Sequence, residues 1–371
     1  MSISVMIKPV SGNCNMSCTY CFYADEAEKR EQYSYGVMSE QTLKNVIRRT
    51  LAGAEGSASY VFQGGEPTLR GLDFYRQVVT LQKQYNKKHI AIQNALQTNG
   101  YDLDQEWCTF LAENDFLVGI SVDGVQQTHD GYRHSMAGAA TYERVLQTIS
   151  RLEQTGVAYN ILTVVHKKIA QKIEEIYADY RKRGWRYQQY IACLDPYGEP
   201  RGARIYSLKP KEYGLFLVRL FSLWYADWQL GRQPYIRQFE NYVGIIKGYQ
   251  PESCEQKRGC SVQYVVEADG SVFPCDFYAM DRFRLGNFNE NRISEIEEQR
   301  RKTGFLEHSM ELGQACQECE FFLLCKGGCY RNRDEGAAGG DRQNYFCEGY
   351  RLFFSECLER LQEVAAQGTV F

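Results

Sequence analysis

The first two thirds of the chain alternate between short β-like runs and stretches with helical spacing. "SVMIKPV", "ASYVFQGGEP", "IAIQNALQTNG", "DFLVGISVDG", "AYNILTVV" and "YQQYIACLDP" each read as a strand that closes on polar or turn-forming residues. Between them the apolar positions recur three and four apart. Leu43, Val46, Ile47 and Leu51 form one stripe, and Val145, Ile149 and Leu152 form another that stops at Gly156. Further helices are expected over "GLDFYRQVVTLQKQY", "DQEWCTFLAEN" and "KIEEIYADYRKRG", and a long aromatic one from about Glu212 to Gln229. In that last helix Phe216, Phe221, Trp224 and Trp228 read as core rather than as a peptide groove. Six β–α units in succession predict an α/β fold with a parallel sheet, open or partly closed as a barrel, its chemistry at the carboxyl ends of the strands. The breaks "CNMSCTYC", "QGGEP", "QTNG", "SVDG" and "CLDP", with Asn160 inside its strand, are assigned to that edge. Beyond about Gln238 the pattern becomes loop-rich. A hairpin is expected in "YVVEADGSVFPCDF", turning at Asp269-Gly270, and a flexible surface loop at "DEGAAGGDRQ".

Composition narrows the function classes. With 371 residues, 44% hydrophobic and 24% charged, the chain can bury a large core without covalent staples. A net charge of −3 gives no reason to expect nucleic acid or a membrane surface as partner. "MSISVMIKPVSG" lacks the pattern of a secretory signal and no run reaches transmembrane length, so a cytoplasmic location is expected. Fourteen cysteines then point to metal rather than to disulfides.

Cys14, Cys18 and Cys21 stand in C-x3-C-x2-C spacing with no fourth thiol beside them. A structural zinc site wants four ligands. Three thiolates can hold three irons of a cubane cluster and leave the fourth iron open to a small molecule. Eight more cysteines lie between Cys254 and Cys347, which is enough for two fully ligated clusters or for two structural zinc sites. Cys108, Cys193 and Cys357 are left over; Cys108 and Cys357 sit in helical patterns and read as core.

The C-x3-C-x2-C motif with Tyr20 before its last cysteine, followed by "GGEP", "SVDG" and the Arg133 of "HDGYR", resembles the radical S-adenosylmethionine (SAM) enzymes. The resemblance implies a SAM-binding 4Fe-4S cluster on Cys14, Cys18 and Cys21. It places Tyr20 near the adenine, Gly64, Gly65 and Glu66 toward the methionine ammonium, Ser121 and Arg133 at the carboxylate, and Asn160 and Leu194 near ribose and adenine. The later cysteines resemble the SPASM extension of peptide-modifying members. By that likeness Cys254, Cys260, Cys275 and Cys329 hold one auxiliary 4Fe-4S cluster, and Cys316, Cys319, Cys325 and Cys347 hold the other. The implied architecture is a partial (β/α)6 barrel over residues 1–237 and a small cysteine-rich domain with a C-terminal helix over 238–371.

"MIKP", "CTYCFY", "FQGGEPTL", "LQTNG", "CLDP", "YSLKPK", "DGSVFPCDFY", "RLGN" and "LCKGGC" are together similar to the anaerobic sulfatase-maturating enzymes. That likeness covers nearly the whole chain. It implies oxidation of a cysteine or serine in a Cys/Ser-x-Pro-x-Arg segment to Cα-formylglycine, on an unfolded or nascent sulfatase, with a one-electron donor such as flavodoxin or ferredoxin. It makes Asp276, next to Cys275, the base that takes the substrate's proton, while an auxiliary cluster serves as electron acceptor. Tyr23 and Gln63 become candidate peptide contacts. Other SPASM maturases, which form thioether or carbon–carbon crosslinks, share these motifs. Many carry a leader-binding domain ahead of the barrel, whereas here the first strand is expected at about Ser4. A non-catalytic, zinc-stabilised binding module is the reading from a different class.

Overall fold

The structure, a computed structural model, describes residues 2–333 and 342–367. The loop expected at "DEGAAGGDRQ" lies outside these residues except for Arg342 and Gln343. The strands, in chain order, are β1 (Ile3–Ile7), β2 (Ser57–Phe62), β3 (Ala91–Thr98), β4 (Leu117–Ser121), β5 (Tyr159–Val165), β6 (Tyr187–Ala192), β7 (Tyr235–Ile236), β8 (Tyr264–Val266), β9 (Ser271–Phe273) and β10 (Gly286–Asn287). Helices follow β1 to β6 as the spacing predicts, so the fold is α/β. The described residues form two compact units that interleave along the chain. One comprises 1–121, 130–159 and 262–305; the other comprises 122–129, 160–261 and 306–371.

In the first unit β1, β2, β3 and β4 run parallel, with Ile7 opposite Phe62 and Phe62 opposite Leu96. Each strand is followed by an amphipathic helix. Ser39 caps the helix Glu40–Gly53 by accepting from the Thr42 amide, and Asp104 caps Gln105–Glu113 by accepting from Trp107. The helix Tyr142–Thr155 ends at Gly156, whose φ of 73° supplies the left-handed turn expected there. The hairpin at Asp269-Gly270 also forms, with Val266 opposite Val272. Its first strand, β8, lies parallel to β1 on the side away from β2, with Val5 opposite Tyr264 and Ile7 opposite Val266. A segment about 260 positions away in the chain thus joins the barrel strands, although the change of composition near Gln238 reads as a boundary.

In the second unit β5, β6 and β7 are parallel, and Ile161 stands opposite Gln188. The long helices Pro210–Gln229 and Cys347–Gln367 pack closely where two glycines meet; a Cβ at Gly349 would sit 2.3 Å from the Pro210 carbonyl oxygen. Phe216, Phe221 and Trp224 are buried, as their helical spacing predicts, and Phe221 lies edge-on to Phe353 at 5.8 Å. Trp228 is only half-buried and stacks on Tyr225. Among the described residues no helix is long and apolar enough to cross a membrane.

Candidate active site

The loop after β1 carries Cys14, Cys18 and Cys21, and its neighbours explain its shape. The Met16 amide and the Asn99 side chain both donate to Cys14 Sγ, at 3.4 and 3.5 Å. Residues 132–135 run beside it: Ser17 N donates to His134 O and Thr19 N to Tyr132 O. That strip brings Arg133 to 4.0 Å from Cys18 Sγ and places its guanidinium 5.6 Å from the centre of the Tyr20 ring. Burial raises the Cys14 thiol to about 11, with Glu66 and Cys21 adding to it against the Met16 and Asn99 hydrogen bonds; burial likewise raises Cys21. Thiols held protonated by burial become ligands when a cation stabilises the thiolate.

The "QGGEP" loop after β2 rests on the cysteine loop, backbone to backbone. Glu66 N donates to Asn13 O at 2.8 Å. Gly65 has φ +57° and a Cβ there would lie 2.1 Å from that same oxygen, so only glycine fits. Gly64, at φ +105°, packs on the stem of Lys8, whose Cγ would be 2.7 Å from an added Cβ. Glu66 is 1% exposed, and its carboxylate is heavily used inside the protein. Oε1 accepts from Thr68 N, Thr68 Oγ1 and Thr98 Oγ1, while Oε2 accepts from Asn99 N. Burial raises this carboxyl against those hydrogen bonds. A carboxylate has about four acceptor positions, so Oε2 keeps capacity for a further donor.

Asp276 stands on the short turn after β9 and is 6% exposed. Tyr23 Oη donates to its Oδ2 at 2.6 Å, and Gln63 Nε2 donates to the same oxygen at 2.9 Å. Gln63 also donates to Tyr23 Oη at 2.6 Å. Burial first, then the Asp276 charge, raises the Tyr23 phenol well above its ordinary value, so it stays a donor. The expected base and the two expected peptide contacts are therefore one hydrogen-bonded group. Its members follow Cys275, Cys21 and Phe62 directly or within two residues.

Sequence reasoning missed the ionic side of this group. Lys8, 1% exposed at the end of β1, places Nζ 3.0 Å from Asp276 Oδ1, as an ion pair without hydrogen-bond alignment. Glu26 and Glu267 each lie 3.7 Å from the same ammonium, and Arg30 pairs with Glu267 at 2.9 Å. The available signal was a lysine closing an apolar strand, where Lys is almost never buried unless paired.

In the second unit Cys316, Cys319, Cys325 and Cys347 line one cavity of about 390 Å³ with Phe321, Phe322, Tyr350 and Phe354. Burial raises Cys325 to about 12, and the Cys347, Cys316 and Cys319 thiols add to the rise. Cys329 is raised by burial and by Cys254 and Cys260, which places those three together. Cys275 falls in the first unit, and the resemblance alone assigns it to that set. None of the fourteen cysteines is in a disulfide, so the four thiols of the cavity, the Cys254, Cys260 and Cys329 group and the three of the first-unit loop can act as the thiolate donors that iron–sulfur clusters use.

Two expected SAM contacts, Leu194 and Asn160, belong to the second unit. Leu194 lines a second-unit cavity of about 210 Å³ with Asp195, Arg201, Arg331 and Tyr345. Asn160 is the second residue of β5 and lies at the opening of that strand, not at the carboxyl edge where the sequence reading put it. The strand runs five residues past Asn160 to Val165, with pairing to β6 from Ile161 onward, so the polar residue marks its beginning. Ser121, by contrast, is the last residue of β4, as expected.

Comparison with known proteins agrees with this geometry. Residues 9–180 match the model of the radical SAM superfamily, and residues 254–320 match that of an iron–sulfur cluster-binding domain named SPASM. The chain is therefore a radical SAM enzyme with a SPASM extension. It is 40% identical, over 98% of its length and 97% of the relative's, to the cysteine-type anaerobic sulfatase-maturating enzyme of Clostridium novyi. It is 30% identical to the serine-type enzyme of Bacteroides thetaiotaomicron, over 94% of this chain and 88% of that one. The solved structure "Native anSMEcpe with bound AdoMet and Cp18Cys peptide" matches with TM-score 0.94 and 40% identity, covering 99% of each chain. The chain belongs to the anaerobic sulfatase-maturating enzymes.

Proposed function

We propose that this chain oxidises a cysteine, and with lower preference a serine, in a Cys/Ser-x-Pro-x-Arg segment of an unfolded or nascent sulfatase to Cα-formylglycine. The observation that carries the reading is the buried Asp276, held by Tyr23 and Gln63 in residues adjoining the three-thiol loop and the glycine loop. The order of similarity, 40% to a cysteine-type relative and 30% to a serine-type one, supports cysteine as the first substrate.

When bound, SAM and a reduced cluster on Cys14, Cys18 and Cys21 supply a 5′-deoxyadenosyl radical, and an auxiliary cluster supplies an acceptor for one electron. The overall change removes a hydrogen atom from Cβ, a proton from the thiol and one further electron; water then replaces sulfur, which leaves as sulfide. The chain's residues bind and orient. Arg133 and Ser121 suit the carboxylate of SAM. Backbone at Gly64 and Gly65, and the remaining acceptor capacity of Glu66, suit its ammonium. The family resemblance assigns Tyr20 and Leu194 to the adenine and Asn160 to the ribose. Asp276 takes the thiol proton while Tyr23 and Gln63 fix its Oδ2.

Cys254, Cys260, Cys275 and Cys329 form one auxiliary set, and Cys316, Cys319, Cys325 and Cys347 the other. On this reading residues 1–237 make the barrel domain and 238–371 the cluster domain. The enzyme works in the cytoplasm on peptides rather than on nucleic acid or membranes, with a flavodoxin or ferredoxin as electron donor. Fourteen cysteines without a disulfide support a reducing compartment.

The test is anaerobic turnover of the reconstituted enzyme with SAM, reductant and both peptides, read by aldehyde trapping and by 5′-deoxyadenosine. Aldehyde is expected from the cysteine peptide, and Asp276→Asn should lower it by roughly 10²–10⁴-fold. SAM cleavage without aldehyde on either peptide would move the chain to another class of peptide maturase.

A further inference from the structure

Lys8 has no part in the reading above, yet it is the most unusual side chain near Asp276. A fully buried lysine needs a compensating reason. Its stem lies against Gly64, and its ammonium faces three carboxylates, those of Asp276, Glu26 and Glu267. It also lies 4.7 Å above the Tyr23 ring. Burial opposes its charge, but Asp276, Glu26 and Glu267 outweigh burial and the nearby Arg30, so the lysine stays protonated.

The rest of the cluster fixes the turn that carries Asp276. Ala279 closes that turn, and both of its backbone groups are held by the helix Phe22–Glu28 and the residues after it. Its amide donates to Glu26 Oε1 at 3.4 Å, and its carbonyl accepts from Arg30 Nε at 2.5 Å. Phe22 meets Phe277 edge-on at 5.0 Å, and Asp281 accepts from Glu31 N and Tyr35 Oη. The turn is thus pinned on one side, and Oδ2 of Asp276 is bonded to Tyr23 and Gln63. What holds Oδ1 is Lys8. Burial and Asp276 push the Glu26 carboxyl up to about 8 against Lys8 and Arg30. With Glu26 protonated at neutral pH, two cations face two anions.

We infer that Lys8 is a positioning residue for this reaction: its ammonium holds the Asp276 carboxylate in the orientation from which it takes the substrate's proton, and the glycine at 64 exists in part to let the lysine stem through. The inference rests on Asp276 being the base. It predicts a specific failure. Without Lys8 the hydrogen atom still leaves Cβ, but the proton is not removed in step with it.

The test uses the full chain with all clusters reconstituted, a Cys-x-Pro-x-Arg peptide deuterated at Cβ, and Lys8→Met. The variant keeps side-chain length and loses the charge. Deuterium should still appear in 5′-deoxyadenosine, while aldehyde formed per 5′-deoxyadenosine falls roughly a hundredfold, the scale of a misplaced catalytic group. Iron content and peptide affinity, measured by fluorescence anisotropy without turnover, should stay at wild-type values. Should Lys8→Met fail to fold because two anions then face one cation, the pair Lys8→Met with Glu267→Gln restores balance and should show the same altered ratio. A wild-type ratio in the folded variant overturns the inference, whatever the rate. Asp276→Asn run in parallel separates the two readings. If it keeps the wild-type ratio, the base assignment itself falls and takes the role of Lys8 with it. If it loses aldehyde while the Lys8 variants do not, only Lys8 is overturned.

Discussion

The three-thiol loop of the first unit and the four-thiol cavity of the second use the same ligand for opposite ends. Around Cys316, Cys319, Cys325 and Cys347 the walls are mostly aromatic, from Phe321, Phe322, Tyr350 and Phe354, with Gln343 and Arg351 as the polar exceptions and Gln343 donating to Cys347 Sγ. Around Cys14, Cys18 and Cys21 stand Arg133, Asn99, Glu66 and two glycines with positive φ, the polar and backbone groups to which the proposed reading assigns a small charged ligand. A complete ligand set needs only shelter. An incomplete one needs a second binding site beside it, a task that the proposed reading gives to the ends of β1, β2, β3 and β4.

The contrast is broken most severely at the thiols. Cys18→Ala should abolish 5′-deoxyadenosine formation, whereas Cys319→Ala should keep SAM cleavage and lose aldehyde along with one cluster's worth of iron. Iron analysis and product chromatography on the two variants check this, and equal loss of SAM cleavage in both would erase the distinction. Next comes the glycine wall. Gly65→Ala forces a Cβ to within 2.1 Å of a backbone oxygen at φ +57°, and should cost about 2–5 kcal/mol in strain and overpacking, visible as a lower denaturation midpoint and weaker SAM binding. The smallest effect is expected at Cys357. It is buried on the helix Cys347–Gln367 and belongs to none of the three thiol sets, so Cys357→Ala should leave iron content unchanged and cost about 1 kcal/mol in urea unfolding.

Much of this was legible from the chain. The six strand–helix alternations were read from local period, because each helix has its own stripe and its own stop, as at Gly156. The cysteine sets were legible because ligand spacing is a local property. The pairing of β8 with β1 was not. Its three residues, Tyr264, Val265 and Val266, are all buried and show no alternation that would name a partner. Lys8 was missed for a related reason: its partners come from positions 26, 267 and 276, and only folding assembles them. Asn160 shows the converse error. A polar residue in an apolar run marks a strand end only when the register says which end, and here it marked the beginning.

The contact between Gly64 and the Lys8 stem ties the fates of two distant codons. A side chain at 64 would be strained by the φ of +105° whatever stands at position 8, and it would also meet the Lys8 stem. Position 64 is held to glycine by its own backbone, and the room that glycine leaves is what the lysine stem occupies. Descendants of this chain should therefore keep the glycine even where residue 8 changes, whereas a retained lysine always needs the glycine.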